Sequence, residues 1–337
     1  MHRFVLLLAL GVIAPGAGSA QQLTSRRPVA TYSIVARDAE TGEIGVAVQS
    51  HWFSVGAIVP WAEAGVGAVA TQSFVEPSYG PLGLELMRMG RGAPDALRAL
   101  VSTDANESVR QVAMVDADGA VAVHTGSRAI QAAGHHLGDG YSTQANMMED
   151  ATVWDAMARA YESSDGDLAE RLLSALEAAQ EAGGDIRGRQ SAALIVVSGE
   201  PTGTPWIDRR FDLRIEDHPT PVAELRRLVT LQRAYLKLNE GDEWVTRGEL
   251  ERAMEAYSVA MGLVPDEATN GEAPFWVGVT LAASGRTAEA LPYLHRAYAQ
   301  DPNWAELLVR LPAADLLPSA QLAEELAETM RGGSPRD

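Results

Sequence analysis

Short apolar stretches punctuated by Gly, Asp and Glu occupy residues 31–37, 43–50, 55–60 and 66–72, and each has the length and β-branched content of a strand. The first two flank "AETGE" and predict a hairpin. A turn centred between Glu40 and Thr41 sets Thr31 opposite Ser50 and Ser33 opposite Val48. Side chains alternate across a strand, so the hydroxyls of Thr31, Ser33 and Ser50 gather on one face, at the sheet end near His51. Further along, "GPLGLELMRMG" and "APDALRALVS" carry apolar residues at helical spacing and predict two short helices. "RQVAMVDADGAVAVHTG" predicts a second hairpin turning on Asp116–Gly119. Residues 148–183 predict helix ending on Gly183-Gly184, "GYSTQANMM" before them reads as a loop, and "SAALIVVSG" and "DRRFDLRIEDH" as strands. Strands, then helices, then strands predict an α+β fold with two packed sheets flanked by helices.

From Pro219 the strand signal stops. "PVAELRRLVTLQRAYLKLNEGDEW" predicts a long amphipathic helix, and two similar stretches follow at about 234–267 and 271–304. Gly241, Trp244, Gly248, Ala253, Tyr257, Ala260 and Pro265 in the first have the spacing of a tetratricopeptide repeat. Gly278, Leu281, Gly285, Ala290, Leu294, Ala297 and Pro302 match them in the second. The small pairs Gly248/Ala253 and Gly285/Ala290 are expected to let paired helices approach closely. Two repeats are too few for a free solenoid, so the unit is expected to dock on the first domain or on a partner protein. The expected organisation is a domain over 31–218, an all-α region over 219–331 and a frayed tail over 332–337.

Before the first strand, "MHRFVLLLALGVIAPGAGSA" has a basic start, a short apolar run and a small-residue end. It predicts an export signal over 1–20, cut after Ala20, with a short leader over 21–30 and a periplasmic or extracellular destination. No later stretch predicts a transmembrane anchor. The 337-residue chain has no cysteine, hence no disulfide and no thiol nucleophile. Its formal net charge of −18 argues against nucleic acid as a partner. A monomer or a symmetric homodimer both fit.

The usual catalytic signatures G-x-S-x-G, H-E-x-x-H and G-x-x-x-x-G-K-[ST] are missing. "GVGAVA" continues into "TQSFVEP" rather than opening a helix, and reads as a glycine-containing strand. Asp116 and Asp118 belong to a hairpin turn too short for a calcium loop. His51, His124, His135 and His136 lack metal-ligand spacing apart from the adjacent pair, so no metal is expected; a hydrolase with metal on His51, His135 and His136 is a minor alternative.

Five blocks, "TYSIVARDAETGEIGVAVQS", "VPWAEAGVGAVATQSFVEPSYGPLGLELMRMG", "GYSTQANMM", "DIRGRQSAALIVV" and "DLRIEDHPTPVAELRRL", resemble in order those of the family catalogued as domain of unknown function 1028, from about Thr31 to Leu228. The resemblance implies a fold like that of N-terminal-nucleophile hydrolases, a four-layer αββα sandwich. Relatives that begin Met-Thr expose, once Met is removed, the threonine matching Thr31. Some relatives carry a C-terminal appendage considered for peptidoglycan binding, where this chain reads as repeats.

The chemistry implied is amide hydrolysis in a small amide or peptide, without a cofactor. A free α-amine, pKa about 7.7–8.0, serves as base for the hydroxyl on its own residue. Thr31 is then nucleophile and base, with Ser33 and Ser50 beside it and Asn146 as an oxyanion donor. Gln72, Gln144, Asp185, Arg187 and Arg189 are the candidates for substrate binding, Asp185 orienting an Arg that grips a carboxylate. Two features depart from that picture. The domain has no lysine near the nucleophile, Lys237 being the chain's only one, so that Arg37 or Arg189 would replace it. The leader also acylates the Thr31 nitrogen, so a cut between Ala30 and Thr31 is obligatory. The competing expectation is a non-catalytic exported binding protein whose repeats recruit a partner.

Overall fold

The computed structural model describes residues 28–332; the expected export signal, most of the leader and the last five residues lie outside the described residues. Its first strands are β1 (Thr31–Arg37), β2 (Ile44–Ser50), β3 (Pro60–Glu63) and β4 (Gly67–Ser73). They are followed by helices α1 (Tyr79–Arg88) and α2 (Ala93–Thr103) and strands β5 (Arg110–Asp116), β6 (Val121–Thr125), β7 (Gly134–Gly138) and β8 (Tyr141–Asn146). Helices α3 (Val153–Ser163) and α4 (Leu168–Glu181), strand β9 (Ser191–Val197), the single turn α5 (Pro205–Asp208) and strand β10 (Arg209–Ile215) complete the α+β part. The strands make a six-stranded sheet, β10-β9-β2-β1-β8-β7, and a four-stranded sheet, β3-β4-β5-β6, with every pairing antiparallel.

The first hairpin has the expected register, Thr31 opposite Ser50 and Ser33 opposite Val48. Its turn is held by Asp38, whose Oδ1 accepts from the N–H of Glu40 (3.0 Å) and Thr41 (2.8 Å), and by Gly42 at φ +73°. Both faces of β1 and β2 are buried. Tyr32, Ile34, Ala36 and Ala47 pack into a cluster with Met157, Leu172, Leu173 and Leu176 of α3 and α4. Val35, Ile44, Val46 and Val48 face the other way, into a cluster with Ala68, Ala70, Ala113 and Val115 of the four-stranded sheet. The far side of that sheet meets α1 and α2 through Val69, Met114, Leu84 and Leu97. Two-sided burial explains why the strands read as continuous apolar runs.

Three expectations are corrected. Residues 55–60 are not one strand: Val55–Ala57 is a 3-10 turn, and β3 begins at Pro60. Val55 gives its N–H to Ser191 Oγ (3.1 Å), and Gly56 lies so close to β9 that a Cβ there would sit 2.9 Å from that of Ala193. The helical stretch 148–183 is two helices, broken where Asp167 caps α4 by accepting from Glu170 N at 2.9 Å. "GYSTQANMM" is not a loop either, since Tyr141–Asn146 is β8, paired to β1 on one side and β7 on the other.

After β10 the described chain is helical: α6 (Pro221–Thr246), α7 (Leu250–Leu263), α8 (Glu272–Ala283), α9 (Thr287–Gln300), α10 (Asn303–Leu308) and α11 (Ala320–Gly332). The long α6 joins the two parts. Val222, Leu225 and Val229 pack into the cluster under β1, whereas Leu238 belongs to the cluster of Tyr257, Phe275, Leu281 and Leu294 in the helical part. Arg226 and Arg233 tie α6 to α4 through Glu170, Glu177 and Asp167.

The glycines divide the work differently from expectation. A Cβ on Gly241 would lie 2.2 Å from the Tyr257 ring, and one on Gly278 2.7 Å from Leu294, so these two permit the close helix approach. Gly248 and Gly285 have open space around them but φ of +78° and +79°; they serve the turns.

Candidate active site

Where β1 begins, the three described residues ahead of Thr31, 28–30, are built into the protein. Val29 pairs with Ser73 at the end of β4, its N–H 2.6 Å from Ser73 O, with Ser73 N–H returning 3.1 Å to Val29 O. Val29 and Ala30 are fully buried, and Val29 joins the cluster between the sheets. Thr31 is equally buried, and its Oγ1 donates to Val29 O at 2.9 Å.

The carbonyl of Ala30, which belongs to the Ala30–Thr31 peptide bond, accepts two hydrogen bonds. One comes from Ser50 Oγ across the hairpin, the other from Arg187 Nη2 at 3.1 Å. Arg187 Nη1 also reaches Pro28 O at 3.4 Å. Asp185 holds this guanidinium by a fork, Nε to Oδ1 (3.1 Å) and Nη2 to Oδ2 (2.8 Å), and accepts the backbone N–H of Arg187 and His51, each at 2.9 Å. The Asp185 side chain is completely buried and fully used, so Arg187 is fixed in direction before anything binds.

Behind Thr31 a layer of buried amides links the sheets. Ser33 Oγ donates to Gln72 Oε1 and accepts from Gln144 Nε2, both at 2.6 Å. Gln72 Nε2 reaches Gln111 Oε1 (2.7 Å), Thr31 O (3.2 Å) and Gln144 O (3.3 Å). Asn146 Nδ2 donates to Gln111 Oε1 at 2.9 Å and reaches Thr31 O at 3.5 Å, while its Oδ1 is buried without a partner. Ser73 Oγ is buried and unpartnered as well, on a residue held at φ +69°. Burial makes such polar networks costly unless satisfied; these two oxygens lie at the residues in register with Val29 and Thr31, and the buried Gln49 amide, next to Ser50, is also without a partner.

Of the expected site residues, Ser50 and Arg187, the latter held by Asp185, meet at the Ala30 carbonyl, while Gln72 and Asn146 reach the carbonyl of Thr31 and Ser33 and Gln144 join through Gln72. Two roles differ from expectation: the groups on the Ala30 carbonyl are Ser50 and Arg187, and the Asn146 amide turns to Gln111 and Thr31 O instead. Arg189 does not join them. It is exposed and lines a groove with Glu177, Gln180, Thr220 and Pro221. Its charge faces Tyr32, whose hydroxyl burial pushes far above the ordinary phenol range, Arg189 opposing and Asp185 adding to the rise. Tyr32 therefore stays a neutral donor, to Gln180 Oε1 at 3.2 Å. Ser191 is structural, between Trp52 O and Val55 N. Gln111, at the centre of the network, escaped the sequence reading. Its only signal is a glutamine inside the apolar strand "RQVAMVD".

The histidines are held by separate partners. His135 Nδ1 meets Thr125 Oγ1 at 2.9 Å, His136 Nδ1 meets Asp155 at 3.0 Å, and His51 lies beside Arg189 O. Among the described residues no cluster of three His, Asp or Glu side chains is disposed to hold a metal, and no helix is long and apolar enough to cross a membrane.

Residues 31–225 match the sequence profile of a family described as "Family of unknown function (DUF1028)". The chain belongs to this DUF1028 family. The match begins at Thr31, the first residue of β1. A member from Silicibacter pomeroyi, known from its crystal structure, is similar at 33% identity with a TM-score of 0.53, the alignment covering 59% of this chain and 84% of that one. No curated protein matches the chain.

Proposed function

We propose that this DUF1028 protein is an exported amidohydrolase of the N-terminal-nucleophile type, acting on a small amide or peptide once the bond between Ala30 and Thr31 is cut. The observation that carries the reading is the treatment of one carbonyl. Ser50 and Arg187 both donate to Ala30 O, where negative charge would develop if Thr31 Oγ attacked the carbonyl carbon. Two antiparallel sheets with a shared apolar cluster and helices packed outside each support reading the domain as an αββα sandwich. After the cut, the Thr31 α-amine is the base that deprotonates its own hydroxyl, with a pKa of about 7.7–8.0 suited to neutral pH. The unpartnered Asn146 Oδ1, on the residue in register with Thr31, is the acceptor the reading assigns to that new amine.

The test is the intact mass of protein isolated after export, alone and with Thr31→Ala. The reading expects a chain starting at Thr31 that is acylated by an electrophilic amide analogue, and an uncut, unlabelled variant. An active chain starting at Gln21 would overturn it. One observation favours the alternative of a non-catalytic binding protein: Val29 is a fully buried member of the core, as a permanent structural strand would be. In that case the helices from α6 onward, read as two tetratricopeptide-like units, would recruit a partner protein.

A further inference from the structure

The leader that blocks Thr31 also marks out what the site accepts. We infer that the residues Pro28-Val29-Ala30 occupy the acyl-side subsites, and that the substrate is an extended peptide whose cleaved carbonyl belongs to a small residue such as alanine. The inference rests on the hydrolase reading and deepens it. In self-cleavage, Thr31 Oγ bonds to the Ala30 carbonyl carbon, the C–N bond to Thr31 breaks, and the hydroxyl proton passes to the departing nitrogen. Water then adds to the resulting ester, the ester C–O bond breaks, the Thr31 hydroxyl is restored, and the leader leaves as a carboxylate. The ester has the same connectivity as the acyl-enzyme formed from any substrate in trans, so the leader's acyl chain and the substrate's compete for one place.

Each leader residue reports a different constraint. Ala30 is fully buried with its carbonyl held by Ser50 and Arg187, so a side chain at this place is enclosed by protein. Val29 is read through its backbone by Ser73, in both directions, while its side chain sits in the apolar cluster between the sheets. Pro28 offers its carbonyl to Arg187 and lines a groove with Trp52, Phe53 and Met147 that opens to solvent. Phe53 is 64% exposed there, an apolar wall with nothing on it among the described residues. A pairing strand edge, an arginine on two carbonyls and an open apolar groove together describe a site for an extended peptide backbone. The arginine is also the natural partner of the carboxylate released, so the freed leader acts as a product inhibitor.

The experiment uses acetyl-Pro-Val-Ala as the probe and calorimetry as the readout. The protein is prepared with Thr31 as its first residue by removing an N-terminal fusion partner, so the outcome depends on neither self-cleavage nor turnover. The free acid should bind with a Kd tighter than about 1 mM, its C-terminal amide at least about tenfold more weakly, and acetyl-Pro-Val-Phe with no measurable heat. Failure of the acid to bind, or equal binding of the phenylalanine peptide, overturns the subsite assignment. Binding without acylation of Thr31 by any amide would instead overturn the hydrolase reading alone. A second arm uses the full chain with hydrogen exchange: the amides of Val29 and Ser73 should stay protected in Ala30→Gly and lose protection in Ala30→Phe. Protection retained in Ala30→Phe would likewise overturn the assignment.

Discussion

Replacing Ser50 with alanine removes one of the two donors on the Ala30 carbonyl and leaves the other, Arg187 Nη2 at 3.1 Å, in place. If the hydroxyl only caps a carbonyl in the folded chain, its loss costs about 1 kcal/mol of stability, because one neutral hydrogen bond is removed and the carbonyl keeps a charged donor. For a domain of this size that is a fall in Tm of about 2–4 °C. If the hydroxyl stabilises the oxyanion formed when Thr31 attacks, the loss falls on the barrier instead, and cleavage slows by about 10²–10³, or roughly 3–4 kcal/mol. The two expectations differ by more than an order of magnitude in rate. The assay follows newly translated chain in a cell-free system by intact mass, scoring loss of all residues before Thr31, with Thr31→Ala as the blank. We expect Ser50→Ala to melt within a few degrees of the wild type and to be cut at least about a hundredfold more slowly. Cleavage at the wild-type rate in a folded Ser50→Ala protein would refute the role given to this hydroxyl, and an uncut wild type would refute the mechanism.

Three further predictions follow from the packing. Asp185→Asn breaks the fork on Arg187 and keeps an acceptor for only one of the two backbone N–H groups, Arg187 N on Oδ1 and His51 N on Oδ2. Discounted for the 28% exposure of Arg187, it should cost about 2 kcal/mol in denaturant titrations and lower leader cleavage as well; an unchanged midpoint would count against the fork. Gly248→Ala should destabilise by about 1–2 kcal/mol through its φ of +78°, and Gly248→Asn should recover most of that. Gly241→Ala and Gly241→Asn should both destabilise by about 1–3 kcal/mol from crowding against Tyr257, so thermal melts of the four variants separate conformational from steric cost. Asp104 is pushed up by burial, but the hydrogen bonds from Arg110 and Asn106 together with the Arg110 charge outweigh this, and its carboxyl ends below the usual range. A depressed folded pKa means stability that is present above about 3.8 and lost as pH falls through the lower folded value. The gap in stability between wild type and Asp104→Asn should therefore close below that pH, and a gap that widens on acidification would reverse the assignment.

The local features were legible in the sequence because local chemistry decides them. The turn on Asp38 and Gly42 sets the pairing of Thr31 with Ser50 by counting alone, and the change from strand to helix after Ile215 follows from a change in apolar period. Asp185 was recognisable as the partner of an arginine because the two lie two residues apart. Strand β8 was not legible: in "YSTQAN" only Tyr141 and Ala145 join the apolar cluster, while Gln144 and Asn146 meet polar neighbours, so the apolar alternation by which a strand is recognised is weak. Choosing Arg187 over Arg189 also needed the fold, because "RGR" presents both, and only the β9 approach turns one to Ala30 and leaves the other in solvent. Gln111 joins the site from a strand 80 residues beyond Thr31, and the roles of Gly241 and Gly248 depended on what lay opposite each. Hairpin register and helix period are properties of neighbours along the chain. Which buried oxygen meets which donor depends on how two sheets close on each other, and that is decided by contacts no stretch of sequence contains.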